Sequence, residues 1–219
     1  MGPVNEAWAT KIIDRHGNAI GAADPMSQGR MQPRPEGWRK HHVDDEDVES
    51  VLTSFSGGLH RTDLLELAAR GLDDSAVRRR TFVATMMWGV GDGSRMYGRH
   101  RRLFTSPELP GALASSVEML RCQEPERAFG VMEPLPGLTY RFHTKWLWVV
   151  GRTLGTTPTP LIYDNRVWAS LRELQWPGLT KRQGMPARWE SYIRDAGFIA
   201  RRLDVPPEHV EYWLFMGSI

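Results

Sequence analysis

The chain has 219 residues, 41% hydrophobic and 25% charged, with a formal net charge of +2 and a single cysteine, Cys122. At roughly 100–200 residues per domain, this length points to one large or two small units around a real core, and the composition excludes wholesale disorder. No apolar run reaches the roughly 18 residues needed to cross a bilayer, the N-terminal stretch lacks the order of a secretory signal, and one cysteine excludes an internal disulfide, a thiolate zinc site or an iron–sulfur cluster. A cytosolic monomer without metal or other cofactor is expected. Of the 28 basic residues only Lys11, Lys40, Lys145 and Lys181 are lysines. The arginine excess suits bidentate phosphate contacts, although a GC-rich genome produces the same bias.

Residues 1–43 carry Gly, Pro, Asn and isolated charges without sustained periodicity, and read as an irregular arm with one short strand at 10–13 and no chemistry. The adjacent His41 and His42 have no third ligand at a useful spacing and read as solvated surface. Residues 44–219 form the second unit, helical almost throughout. DDEDVESVLTSFSGG has an acidic first turn and closing glycines. Thr62 or Asp63 starts the next helix, and Asp74 or Ser75 a longer one, AVRRRTFVATMMWG. The run WGVGDGSRMYGRHRR at 88–102 reads as a flexible basic loop. A helix with Pro107 at its first position follows, then another across EPERAFGVM. The second half gives a helix over FHTKWLWVVGRTLG, an extended TTPTPLIY, a helix over DNRVWASLREL, the loop WPGLTKRQGMP and two closing helices. About nine helical segments with no repeat and no alternating strands imply an all-α, two-lobed orthogonal helical bundle.

Lys145 is a cation on an otherwise apolar helix, sharing a stripe with Trp148 and Arg152. On periodicity alone it reads as a lysine reaching out to water. The prolines of TTPTPLIY hold the chain extended, and Asp164 then stands as an N-cap, where backbone N–H groups and the positive helix end keep a carboxylate ionised. As a cap alone it contributes about 1 kcal/mol.

A Pro-Gly hairpin (Leu135, Pro136, Gly137), a Thr-Lys pair (Thr144, Lys145) and Asp164 nineteen positions after the lysine, followed by Val167 and Trp168, resemble the helix-hairpin-helix DNA glycosylase superfamily in its 8-oxoguanine glycosylase-like branch. The close match spans about residues 135–170. It departs from the pattern at Thr139, where relatives carry a second glycine, and in a longer connection to the lysine helix, which touches the hairpin's phosphate contacts more than the Lys–Asp pair. FHTKWLWVVG with IYDNRV also resembles a smaller prokaryotic group of this fold, some of whose members act against bacteriophages with modified bases.

The resemblance implies that Lys145 attacks C1′ of the deoxyribose as a neutral amine, favoured by partial burial against Phe142, Trp146 and Trp148, and that Asp164 stabilises the developing sugar cation or helps orient and deprotonate the nucleophile. A Schiff base on Lys145 allows β-elimination, so glycosylase and AP lyase activities can coexist. The partner implied is double-stranded DNA with a modified base, and no membrane. In the 88–102 run Arg95, Arg99, Arg101 and Arg102 are expected on phosphates, with Tyr97 or Met96 probing the stack. Gly137, Thr144 and His143 are further DNA-contact candidates, though a packed histidine is the commoner outcome. The GxGxG run is not a nucleotide fingerprint, because a helix and not a strand precedes it.

Three functions remain open: excision of a bulky modified base in antiviral defence, housekeeping excision of 8-oxoguanine, and non-catalytic DNA binding. The compact chain and its irregular segments favour a roomy pocket, hence a bulky modified pyrimidine such as a glycosylated hydroxymethylcytosine of phage DNA.

Overall fold

The computed structural model describes residues 4–91, 96–180 and 184–217. Among these residues there are twelve α-helices and no strand: α1 (Glu6–Ala22), α2 (Pro35–His41), α3 (Glu46–Ser54), α4 (Arg61–Ala69), α5 (Ser75–Val90), α6 (Tyr97–Phe104), α7 (Leu109–Arg121), α8 (Pro125–Met132), α9 (Tyr140–Leu154), α10 (Asn165–Glu173), α11 (Met185–Leu203) and α12 (Pro207–Met216). The expected all-α class is therefore the observed one. Aspartates open the helices as their positions suggest. Asp45 accepts from the N–H of Val48, Asp74 from Ala76 and Val77, and Asp164 from Arg166 and Val167. Each satisfies donors that a helix start leaves without an internal partner. Helix α4 begins a residue earlier than expected because His60 takes the cap and Asp63 returns a bond to the His60 N–H. Helix α7 begins at Leu109, two residues later than expected, with Pro110 in its first turn.

The helices pack as two groups. Helix α9 touches α4, α5, α7 and α8, and every residue from Phe142 to Gly151 is buried. A helix surrounded on all sides has to be apolar on all sides, which explains the weak stripe read from its sequence. The other group is α1, α10, α11 and α12, joined to the first where α8 meets α11.

Three expectations need correction. Within the stretch 1–43, the described residues 4–43 are not an irregular arm and hold no strand at 10–13. They contain α1 and α2, and α1 packs on α11 and α12 with Ala9, Ile12 and Ile20 buried. Glycine in this stretch signals close packing, since a Cβ on Gly17 would lie 3.1 Å from Leu203 Cδ2. Second, 88–102 is not one loop: α5 runs to Val90, and α6 starts at Tyr97 with Tyr97, His100, Leu103 and Phe104 turned inward. The aromatic positions of this short helix find their partners in Trp38 and Phe142, far away in sequence. Arg95 lies outside the described residues, as do 181–183 of the WPGLTKRQGMP loop. Third, the N-terminal segment does not stand apart from the helical unit, because its Gln28 and Met31 line a cavity shared with Lys145 and Asp164. An isolated antiparallel bridge holds this segment there, with Met31 and Leu59 exchanging backbone bonds of 2.8 and 2.9 Å.

Candidate active site

Lys145 lies in the second turn of α9 and is 7% exposed. Its Nζ donates to Asp164 Oδ2 at 3.2 Å, while Asp164 Oδ1 accepts from the backbone N–H groups of Arg166 and Val167 at 3.0 and 3.2 Å. The cap thus occupies one carboxylate oxygen and aims the other at the lysine. Burial alone would push the Asp164 carboxyl up, but the Lys145 charge and the two N–H bonds outweigh it and hold the group below the usual carboxylate range.

The alignment of this pair has a backbone cause. Thr144 Oγ1 accepts from the N–H of Tyr163 at 3.1 Å and donates to the Tyr140 carbonyl at 2.8 Å, so the residues preceding Lys145 and Asp164 are pinned together. The extended return lies tight against α9. A Cβ on Gly151 would come within 2.4 Å of Pro160 Cγ, and Trp189 Nε1 donates to the Leu161 carbonyl at 2.8 Å from the other side. Lys145 needs its own clearance: a Cβ on Gly89 of α5 would lie 2.8 Å from Lys145 Cδ and 3.1 Å from Cε. Above the lysine is Trp88, with its ring centroid 5.4 Å from Nζ.

Lys145 and Asp164 line a cavity of about 560 Å³. Its rim carries Arg99, Arg141 and Arg166, all exposed, and the start of α9 at Thr139 and Tyr140. The first N–H groups of a helix lack internal acceptors, so this edge suits anions. The deeper wall is Gln28, Arg61, Trp88 and Glu211. Arg61 and Glu211 are 1% and 0% exposed and form a bidentate pair with both contacts at 3.0 Å, and Arg61 Nε donates to Gln28 Oε1 at 2.8 Å. Burial pushes the Glu211 carboxyl up and the Arg61 guanidinium opposes that. Trp148 and Tyr212 flank the guanidinium at 4.9 and 5.7 Å. No three His, Cys, Asp or Glu side chains converge as a metal site among the described residues.

Of the residues singled out in the sequence as catalytic or DNA-contacting, Lys145, Asp164, Arg99 and Met96 meet at this cavity. Arg101 and Arg102 are exposed on α6 outside its lining. Gly137 has φ +78°, and a Cβ there would lie 2.7 Å from the Arg99 carbonyl oxygen. Its glycine therefore seats the hairpin on α6 and sets Arg99 at the rim. Three DNA-contact expectations are corrected. Thr144 is fully buried with its hydroxyl engaged as above. His143 is 1% exposed and packs on Phe129, ring centroids 4.2 Å apart, and burial pushes it down to about 3. Tyr97 is buried against Trp38, and a Cβ on Gly37 would strike its ring at 2.3 Å. Trp146 does not shield Lys145 either, since it donates to Ser116 Oγ at 2.9 Å and packs on Phe82. Gln28, Arg61, Gly89, Arg141, Arg166 and Glu211 escaped sequence reading. Glu211 ahead of YWLFM is a charge beside an apolar run, but nothing local marks Arg61, which stands among His60, Thr62 and Asp63.

No curated protein and no solved structure matches the chain. The profile of the family described as "Putative 8-oxoguanine DNA glycosylase OGG-like protein" matches residues 24–215, a span that takes in the cavity wall from Gln28 to Phe215 along with the lysine and its aspartate. With that span covered, the chain belongs to this OGG-like family.

Proposed function

We propose that this glycosylase draws a modified base of duplex DNA into the cavity and excises it through Lys145, with Asp164 as its electrostatic and proton-handling partner. The observation that carries this is the 3.2 Å contact between a buried lysine and a cap-oriented carboxylate at a cavity rimmed by arginines. After the ammonium gives up one proton, the Nζ lone pair forms a bond to C1′. The C1′–base bond breaks, and its electron pair leaves with the base, which takes up a proton. Loss of the second amine proton with opening of the sugar ring leaves a Schiff base on Lys145, from which β-elimination can nick the strand. Asp164, already ionised, faces the positive charge that develops on the sugar. The arginine rim and the α9 N-terminus hold flanking phosphates without reading sequence.

The base we favour is a bulky modified cytosine of phage DNA, which would place the protein in antiviral defence. A cavity of about 560 Å³ supports this, since pockets of roughly 300–1,000 Å³ take ligands larger than a bare nucleobase. Repair of 8-oxoguanine is the second reading, favoured by the family description. Excision from phage DNA with glycosylated hydroxymethylcytosine, run beside an 8-oxoguanine duplex, separates the two. Borohydride reduction during turnover should leave a protein–DNA adduct that Lys145→Ala abolishes; trapping that persists in this variant would overturn the nucleophile.

A further inference from the structure

Trp88 stands over the nucleophile without a hydrogen-bonding reason to be there. It directly precedes the Gly89 that clears the lysine stem, and its ring centroid lies 5.4 Å from Lys145 Nζ. Its buried indole N–H has no hydrogen-bond partner among the described residues. A buried donor left unpaired is a cost that a leucine or phenylalanine at this position would not carry. What an indole offers beyond their bulk is the strongest attraction for a cation over its face, and that attraction grows where water is kept out. Trp88 and Lys145 are 4% and 7% exposed. Packing fixes the ring: it stacks on Trp148, centroids 6.2 Å apart, and the Arg61 guanidinium lies 5.4 Å from it. Glu211 answers the Arg61 charge with two contacts of 3.0 Å, so the charge near this ring that changes during the reaction is that of Lys145.

Excision and nicking make different demands on Nζ. The attacking amine is neutral. Once the Schiff base has formed, strand nicking needs its protonated form, because only a positive nitrogen draws electrons well. From that form a C2′ proton passes to water, its C–H pair becomes part of a C1′–C2′ double bond, and the C=N pair moves onto Nζ. The Nζ pair then restores C=N, the C1′–C2′ pair shifts to C2′–C3′, and the C3′–O bond breaks with its electrons leaving on the 3′-phosphate. A ring face at Nζ favours the protonated Schiff base over the neutral one. Asp164, held ionised at 3.2 Å from Nζ, acts in the same sense.

We infer that Trp88 serves the nicking step, its ring face holding the Schiff base on Lys145 in the protonated form from which β-elimination proceeds. This rests on Lys145 being the nucleophile but not on the identity of the base, so the test uses a duplex with one aldehydic abasic site. Besides Trp88, Nζ shares the cavity with Asp164 from the α10 cap, Arg61 and Glu211 from α4 and α12, and Arg99, Arg141 and Arg166 at the rim. All of these are kept in the variants, so a difference between variants reports on the ring. Cyanoborohydride reduces the protonated Schiff base to a stable adduct, and its trapping rate would be followed between about pH 6 and 9.5. The proteins compared are wild type, Trp88→Leu, and protein with one, two or three fluorines on the indole at position 88, which draw electron density off the ring face and keep its shape. We expect the alkaline fall in trapping to come about one pH unit lower in Trp88→Leu, equivalent to about tenfold slower trapping above it, and to move down stepwise through the fluorinated series. Strand nicking should follow the same order. An alkaline limb that stays put through the fluorinated series would overturn the role, whether or not Trp88→Leu folds. Lys145→Ala separates this from the excision reading. Trapping that is absent from wild type or survives in Lys145→Ala removes the nucleophile and this role with it, whereas Lys145-dependent trapping with an unmoved limb removes the role of Trp88 alone.

Discussion

Lys145 and Asp164 are held in register by their neighbours, and the predictions at residue scale follow from that. Asp164→Asn keeps a capping side chain, so the fold should survive, while excision under single-turnover conditions should slow by at least about a hundredfold. A normal rate would remove Asp164 from the chemistry. Because the folded carboxyl lies below its ordinary value, its contribution to stability is present above the unfolded pKa of about 3.9 and is lost as pH falls through the folded one. The stability gap between wild type and Asp164→Asn should therefore close in strong acid. Gly89→Ala tests the clearance around the nucleophile. The new methyl would meet Lys145 Cδ at 2.8 Å and push Nζ from its partner. Displacements of this order can cost about a hundredfold in rate, here expected with affinity for an abasic duplex unchanged. Alanine is also the better helix former by about 1 kcal/mol, so a stabilised and fully active variant would show that the neighbours yield.

Helix α6, the hairpin and the start of α9 act as one element at the cavity rim. Gly137 against the Arg99 carbonyl joins the first two, and Arg141 rises from the first turn of the third. Sequence reading placed arginines of the 88–102 run on DNA, but could not tell that α6 turns only some of them toward the cavity. Arg99 lines it; Arg101 does not. Neutralising Arg99 and Arg141 together should weaken binding to all duplexes alike and reduce the slope of log K against log salt by about 1.8, at about 0.9 per phosphate contact. An Arg101→Ala control should leave the slope near wild type. An unchanged slope in the double variant would take this rim off the DNA. Lys145 as a cation in an apolar helix and Asp164 as a cap after a proline-held return were legible because those determinants are local, whereas their pairing was read from the family resemblance. Gln28, Arg61 and Glu211 were not legible, because their contacts span 33 and 150 positions and leave no periodic trace.

At the scale of the whole molecule, two histidines are buried deeply enough to stay neutral. Burial pushes His100 and His143 down to about 3. An unfolded chain binds these protons below about 6.5, so stability should fall as pH drops from 6.5 toward 3, by up to about 1.4 kcal/mol per pH unit for each group. His143→Phe should flatten that slope by as much as one proton in urea titrations between pH 6 and 4. A slope equal to wild type would mean that His143 is not held neutral.

The amino-acid sequence by itself determined the helical class, most helix starts and the Lys145–Asp164 spacing, because caps, prolines and apolar periodicity act within a few residues. Only the tertiary structure decided that the N-terminal segment is a helical part of the core and a wall of the cavity. It also decided that Tyr97, His143 and Thr144 are interior, and that a buried Arg61–Glu211 pair faces the same space as the nucleophile. These depend on which helix faces meet, and a glycine that looks like a turn, as Gly17 and Gly89 do, is then a place where another side chain passes close by. Such contacts join residues far apart in the chain, and no local propensity encodes them.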